Sequence, residues 1–139
     1  MKFFFNRLLR IWLDSEEFFY EDISDSVLCR TLGGKGLGVY LLTKENPVGV
    51  ESLSADNRFI IAVGPITGTR FWSHSRFAVF AKSPATGGFM ESYCGGRLGP
   101  QMKGCGIDAV IIEGKCNQLS YLLIKDFCKM SDGVRSLLS

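Results

Sequence analysis

The chain has 139 residues, 46% of them hydrophobic and 22% charged, with a formal net charge of +2. That length suits one domain able to bury about two-thirds of its unfolded surface. So small an excess of cations excludes a general nucleic-acid binder, because phosphate contacts need a strongly basic face.

The N-terminal run MKFFFNRLLRIWL has the lysine and apolar residues of an export signal, but Arg7 and Arg10 interrupt it and no small-residue cleavage site follows. No stretch approaches the roughly 18 consecutive apolar residues of a membrane span. A cytoplasmic protein without membrane partners is expected. Leu8–Leu13 and Glu17–Tyr20 read as two strands joined across Asp14-Ser15-Glu16. Ser24 or Asp25 can cap a short helix through Leu32 that Gly33 ends. A second helix is predicted over Gly36–Glu45, with Leu37, Tyr40, Leu41 and Lys44 at helical spacing and Pro47 as the stop. Its entrance, LGGKGLG, fails both phosphate-loop patterns: Lys35 is followed by Gly36, and Val39 stands where a dinucleotide fingerprint needs glycine. Glycines for close packing are the expected role, although N–H groups at a helix start can attract an anion.

Arg58–Val63, Arg76–Lys82 and Ile107–Glu113 read as strands, and Leu119–Lys125 as an antiparallel neighbour of the last. Between them stand Gly64-Pro65-Ile66-Thr67-Gly68-Thr69, Ser83-Pro84-Ala85-Thr86-Gly87-Gly88 and Gly95-Gly96. Such loops can bring bare backbone close to an anionic ligand, with Arg70, Arg76, Lys82, Arg97 and Lys103 adding positive charge. Arg76 follows a loop directly, and its fork of donors suits a phosphate or polar heterocycle; otherwise it is a surface strand residue. His74, the single histidine, is expected to be solvated, with proton transfer as the alternative. Tyr93-Cys94-Gly95-Gly96 precedes a predicted helix from about Arg97 to Lys103, where Pro100 is tolerable in the first turn. The double glycine and the helix start together form a candidate anion seat. Five cysteines, at positions 29, 94, 105, 116 and 128, show no CxxC or CxxxC pair, so no zinc ribbon or complete iron–sulfur site is signalled. They are expected to be unoxidised, small buried hydrophobes, with Cys94 the exception to watch beside the glycines. Some seven short strands and three helices imply an α+β domain on a mainly antiparallel sheet, occupying residues 1–139 as one unit.

The blocks GPITGT, SRFAVFAKSPATG, YCGGRLG and KGCGIDAVIIEGK, preceded by LGGKGLGVYLLTKE and SLSADNRFIIAVGP, resemble in order the N-terminal domain of the aldehyde:ferredoxin oxidoreductase family. The resemblance runs from the Phe5 region to about Lys125 and implies an incomplete copy of that domain. It implies a tungsten- or molybdenum-bis-pterin cofactor, with Arg76 between the pterin and an iron–sulfur cluster. Tyr93, Cys94, Gly95 and Gly96 match the loop that holds the pterin phosphates, and the backbone carbonyl matching Tyr93 helps bind magnesium. Some members carry a small polar residue where this chain has Tyr93, a change that a backbone ligand survives. The 4Fe-4S cluster, the substrate channel and the other half of the pterin cradle belong to later parts of such proteins. The implied activity of the whole is oxidation of an aldehyde and water to a carboxylate, with two electrons passing to ferredoxin. No catalytic side chain is assigned to this chain. The partners implied are the pterin, the remaining domains or a separately encoded subunit, and ferredoxin. The alternative is a non-catalytic binding or assembly module or remnant that keeps the fold, either as a homodimer whose two copies mimic the full cradle or with an exposed apolar edge.

Overall fold

A computed structural model describes residues 3–122. β1 (Arg7–Trp12) and β2 (Glu17–Asp22) pair antiparallel, and Glu16 turns the chain with a φ of 56°. α1 (Asp25–Thr31) begins at Ser24, whose hydroxyl accepts the Val27 N–H at 3.4 Å and so satisfies one orphan donor of the first turn. It ends with Leu32 left-handed and Gly33 at a φ of 69°, and α2 (Gly34–Glu45) starts at once. The glycines of its entrance are there for contact. A Cβ on Gly36 would overlap the Thr31 backbone, and one on Gly38 would overlap the ring of buried Phe80. Four further elements follow the long loop after α2: β3 (Phe59–Val63), β4 (Phe77–Lys82), β5 (Phe89–Cys94) and the short α3 (Leu98–Gly104), before the chain returns as β6 (Ala109–Glu113).

The sheet order is β2-β1-β6-β3-β4-β5. β1 and β6 run parallel and every other neighbouring pair is antiparallel, which is the α+β, mainly antiparallel architecture with three helices that the sequence predicts. A parallel pair needs a long crossover; here it is the whole of α1 to α3. Strand periodicity then makes two cores. Leu8, Ile60, Ala62, Ala78, Phe80, Ala109 and Ile111 face Leu28 of α1 and Leu37, Leu41 and Leu42 of α2. Leu9, Ile11, Val63 and Val110 face the other way, toward Met102 of α3 and Ile107.

Three expectations are corrected. Leu119–Lys125 cannot be the antiparallel neighbour of β6, because β1 and β3 occupy both of its edges; residues 119–122 join no ladder, and 123–125 lie outside the described residues. The described residues hold six strands rather than seven, and one of them, β5, lies where the sequence reading places no strand. None of the four described cysteines is buried: Cys29 and Cys94 are exposed, Cys105 and Cys116 half-buried. They form no disulfide, and Cys128 lies outside the described residues. Among the described residues no helix is long and apolar enough to cross a membrane.

Candidate functional site

Because β3, β4 and β5 alternate in direction, the end of β3, the start of β4 and the end of β5 meet at one edge of the sheet. The loop from Gly64 to Arg76 is folded onto itself there. Buried Thr67 donates its hydroxyl to the Arg76 carbonyl at 3.0 Å, and the Gly68 N–H donates to the His74 carbonyl at 3.0 Å. Gly68 has a φ of 78°, a conformation that side chains disfavour. His74 sits half-buried with Nδ1 at 2.6 Å from the Phe71 carbonyl, rather than open to solvent. The folding pushes Phe71 and Trp72 outward, 61% and 96% exposed.

The register fixes the rest. Phe77 pairs with Cys94 and Ala78 with Tyr93, so Arg76, one residue before β4, comes opposite Gly95, one residue after β5. Gly99, in the first turn of α3, lets the helix settle on this corner: a Cβ there would stand 3.0 Å from the Ser75 carbonyl oxygen and 3.3 Å from that of Arg76. Arg76, Tyr93, Cys94, Gly95 and Gly96 are thus brought together, and all are exposed. Tyr93 and Cys94 are the last residues of β5 rather than loop residues, and α3 begins at Leu98 rather than Arg97. Gly96 has a φ of 99°, and the space a Cβ would occupy is open. Backbone here can therefore be approached closely from solvent.

Two of the five expected cations are elsewhere. Lys82 ends β4 at the opposite edge and donates to the Val50 carbonyl at 2.5 Å. Lys103 is buried against Asp108. The Ser83–Gly88 loop is the β4–β5 turn, closed by the Ser83 N–H donating to the Gly88 carbonyl at 2.8 Å, and it too lies away from this corner. Arg70, Arg76 and Arg97 remain exposed on the corner's two loops. A cation that the sequence reading treated only as part of a packing motif joins them: Lys35, at the start of α2, donates to Glu91 of β5 at 2.9 Å. That hydrogen bond and the charge of Glu91 raise its pKa. The start of α2 also packs on the loop, since a Cβ on Gly34 would lie 3.8 Å from the Gly64 Cα. The signal for Lys35 was a lysine among glycines at a helix start, and its partner became visible only with β5. Among the described residues no group of three or more His, Cys, Asp or Glu side chains comes together as a metal cage. What the corner offers is arginine donors, backbone groups and space, a donor set that fits a phosphate-bearing organic cofactor better than a bare metal ion.

The family model for the N-terminal domain of aldehyde ferredoxin oxidoreductase matches residues 8–130. The tungsten-containing aldehyde ferredoxin oxidoreductase of Pyrococcus furiosus is 38% identical over 120 residues, which are 86% of this chain and 20% of that protein. The WOR-like subunit of an aliphatic sulfonate oxidoreductase from the same organism is 34% identical over 123 residues, 85% of this chain and 19% of its own length. Among solved structures, the active-site complex BamBC of benzoyl coenzyme A reductase with 1,5-dienoyl-CoA superposes with a TM-score of 0.83 at 29% identity, over 86% of this chain and 18% of that one. The chain thus spans about a fifth of the relatives it matches. With the blocks, their order and the fold in agreement, the chain belongs to the aldehyde ferredoxin oxidoreductase N-terminal domain family.

Proposed function

We propose that this chain is the N-terminal cofactor-binding part of a tungsten or molybdenum bis-pterin oxidoreductase that oxidises aldehydes to carboxylic acids and passes the electrons to ferredoxin in the cytoplasm. The observation that carries the reading is the convergence of Arg76 with Tyr93, Cys94, Gly95 and Gly96 at one exposed, arginine-bearing corner. Oxidoreductase names among the relatives support it.

In this reading Gly95 and Gly96 let phosphate oxygens reach the backbone, and the Arg76 guanidinium offers paired donors and a fixed positive charge. Arg70 and Arg97 lower the electrostatic cost of collecting phosphates in one place. The Tyr93 carbonyl is a ligand for magnesium. When bound, the metal–pterin group supplies the redox chemistry; the residues of this chain bind and orient it. In this reading a 4Fe-4S cluster and a substrate channel are supplied by further domains or by a separately encoded subunit, since this chain spans about a fifth of its relatives' length. Names such as "subunit" and "complex" among the matched proteins are in keeping with the second arrangement.

Metal and pterin content tests the reading. The chain purified together with the remaining part of its enzyme should hold tungsten or molybdenum with pterin, measured by elemental mass spectrometry and by pterin fluorescence after oxidation. A joint preparation without either sinks it. Arg76→Ala should weaken retention by about 10- to 100-fold, the loss of a charge-assisted hydrogen bond of roughly 1.5–3 kcal/mol. Metal and pterin content equal to that of the parent would remove Arg76 from the site.

A further inference from the structure

α3 cannot hold its own position. It has seven residues and no side-chain cap, and it contains Gly99, Pro100 and Gly104. A helix that short is marginal in water even with good helix formers. Yet it directly follows the Gly95–Arg97 turn, so its placement sets where that turn lies. Gly99 resting on the 75–76 backbone and Met102 in the apolar core supply part of the placement.

Lys103 supplies a connection of another kind. Its side chain is only 6% exposed, and its ammonium donates to the fully buried Asp108 carboxylate and to the Phe3 carbonyl at 3.0 Å. The same ammonium lies 5.0 Å from the centre of the Phe4 ring and 5.5 Å from that of Phe5. The second oxygen of Asp108 accepts the Phe5 N–H at 2.8 Å, and its backbone joins both neighbouring strands: the N–H donates to the Arg7 carbonyl at 2.9 Å and the carbonyl accepts the Val63 N–H at 3.1 Å. On its other side the Lys103 stem packs against Gly68, where an added Cβ would come within 3.1 Å of the lysine Cβ. One ammonium therefore ties α3, the start of β6, the N-terminal segment Phe3–Phe5 and the loop after β3. Such a buried pair is a poor source of stability, since desolvation offsets most of the attraction and apolar replacements are often neutral. Its directional donors do fix geometry.

We infer that Lys103 is a positioning residue: with Asp108 and the Phe3–Phe5 segment it latches α3 and so holds the Gly95–Arg97 turn in register with Arg76. Its functional weight rests on the reading of that turn as a cofactor loop. Lys103→Met alone strands a buried carboxylate and can unfold the chain. The informative variant is Lys103→Met with Asp108→Asn, in which the amide oxygen still accepts the Phe5 N–H and no buried charge is left.

Hydrogen–deuterium exchange on the whole chain, without cofactor, reads the latch. In the double variant, segment 95–105 should exchange about ten-fold faster, while β3 and β6 stay within about three-fold of the parent. Unchanged exchange over 95–105, or equal acceleration everywhere, overturns the latch, the second because it marks a purely global role. The cofactor content of the same variant, in the joint preparation, is a separate readout. Selective loosening with full pterin content would uphold the latch and refute the turn as a cofactor loop.

Discussion

Arg10→Met is expected to cost about 3–5 kcal/mol, because it leaves buried carboxylates without their cation. Arg10 lies on the helix-covered face of β1, and its guanidinium meets three carboxylates: Glu21 at 2.5 and 3.3 Å, Glu45 at 3.1 Å and Glu113 at 3.2 Å. Burial alone would lower its pKa, but the hydrogen bonds to Glu21 and Glu113 and the charge of Glu45 more than offset that and raise it. Two other cations touch the cluster, Arg58 at 2.8 Å from Glu113 and Lys44 at 3.7 Å from Glu45, so three positive charges balance three negative ones. Methionine would keep the volume and leave the carboxylates in excess. At an m value of about 2 kcal/mol/M, urea unfolding should shift down by about 2 M. The shift should persist at high salt, because screening hardly reaches buried charges. A change below about 0.5 kcal/mol would show that the carboxylates simply rehydrate. For contrast, Lys35→Gln removes an exposed pair with Glu91 and should leave the urea midpoint unchanged.

Gly38→Ala is expected to destabilise even though alanine is the better helix former by about 1 kcal/mol. Gly38 is within α2, where an added methyl would collide with three ring atoms of Phe80, itself fully buried in β4. The ring is fully buried, and overpacking a close-packed interior typically costs about 1–3 kcal/mol. The net should be a loss of about 1–2 kcal/mol by thermal or urea unfolding, and more for Gly38→Leu. Gly104→Ala is the matched control. It is also helical, nothing lies within reach of its Cβ, and it should be neutral or slightly stabilising. If both substitutions stabilise, the α2–β4 packing described above is wrong.

Most elements were legible because burial and local chemistry agree in them. β1, β3, β4 and β6 carry β-branched or aromatic runs, Ser24 caps α1, and Pro100 sits in the first turn of α3. β5 was not legible, and the reason is physical. Phe89-Met90-Glu91-Ser92-Tyr93-Cys94 is an edge strand exposed along nearly its whole length, so no alternation between core and solvent was written into it. Its strand character comes from the ladder with β4. The misplacement of residues 119–122 has the related cause that periodicity reveals strands and says nothing of neighbours: only the insertion of β6 between β1 and β3 shows that both its edges are taken. For the corner, the loops and Arg76 could be read from the glycines and the family blocks. That Lys82 and Lys103 point elsewhere, and that Lys35 approaches β5, depends on where β4, α3 and α2 lie around the sheet, a matter of topology.

The same insertion orders events in time. β1 and β2 leave the ribosome first, but the strand that connects them to the rest of the sheet comes about 100 residues later; Arg10 and Glu113, partners in the buried cluster, are separated by 103 positions. At about 5–20 residues per second, the N-terminal hairpin waits some 5–20 s with its apolar face uncovered. β3, β4 and β5 meanwhile form a local meander of their own. β6 joins the two parts of the sheet through pairings of large sequence separation, the kind that forms slowly. Synthesis halted before Ala109 would leave β1–β2 and β3–β5 without the strand that joins them.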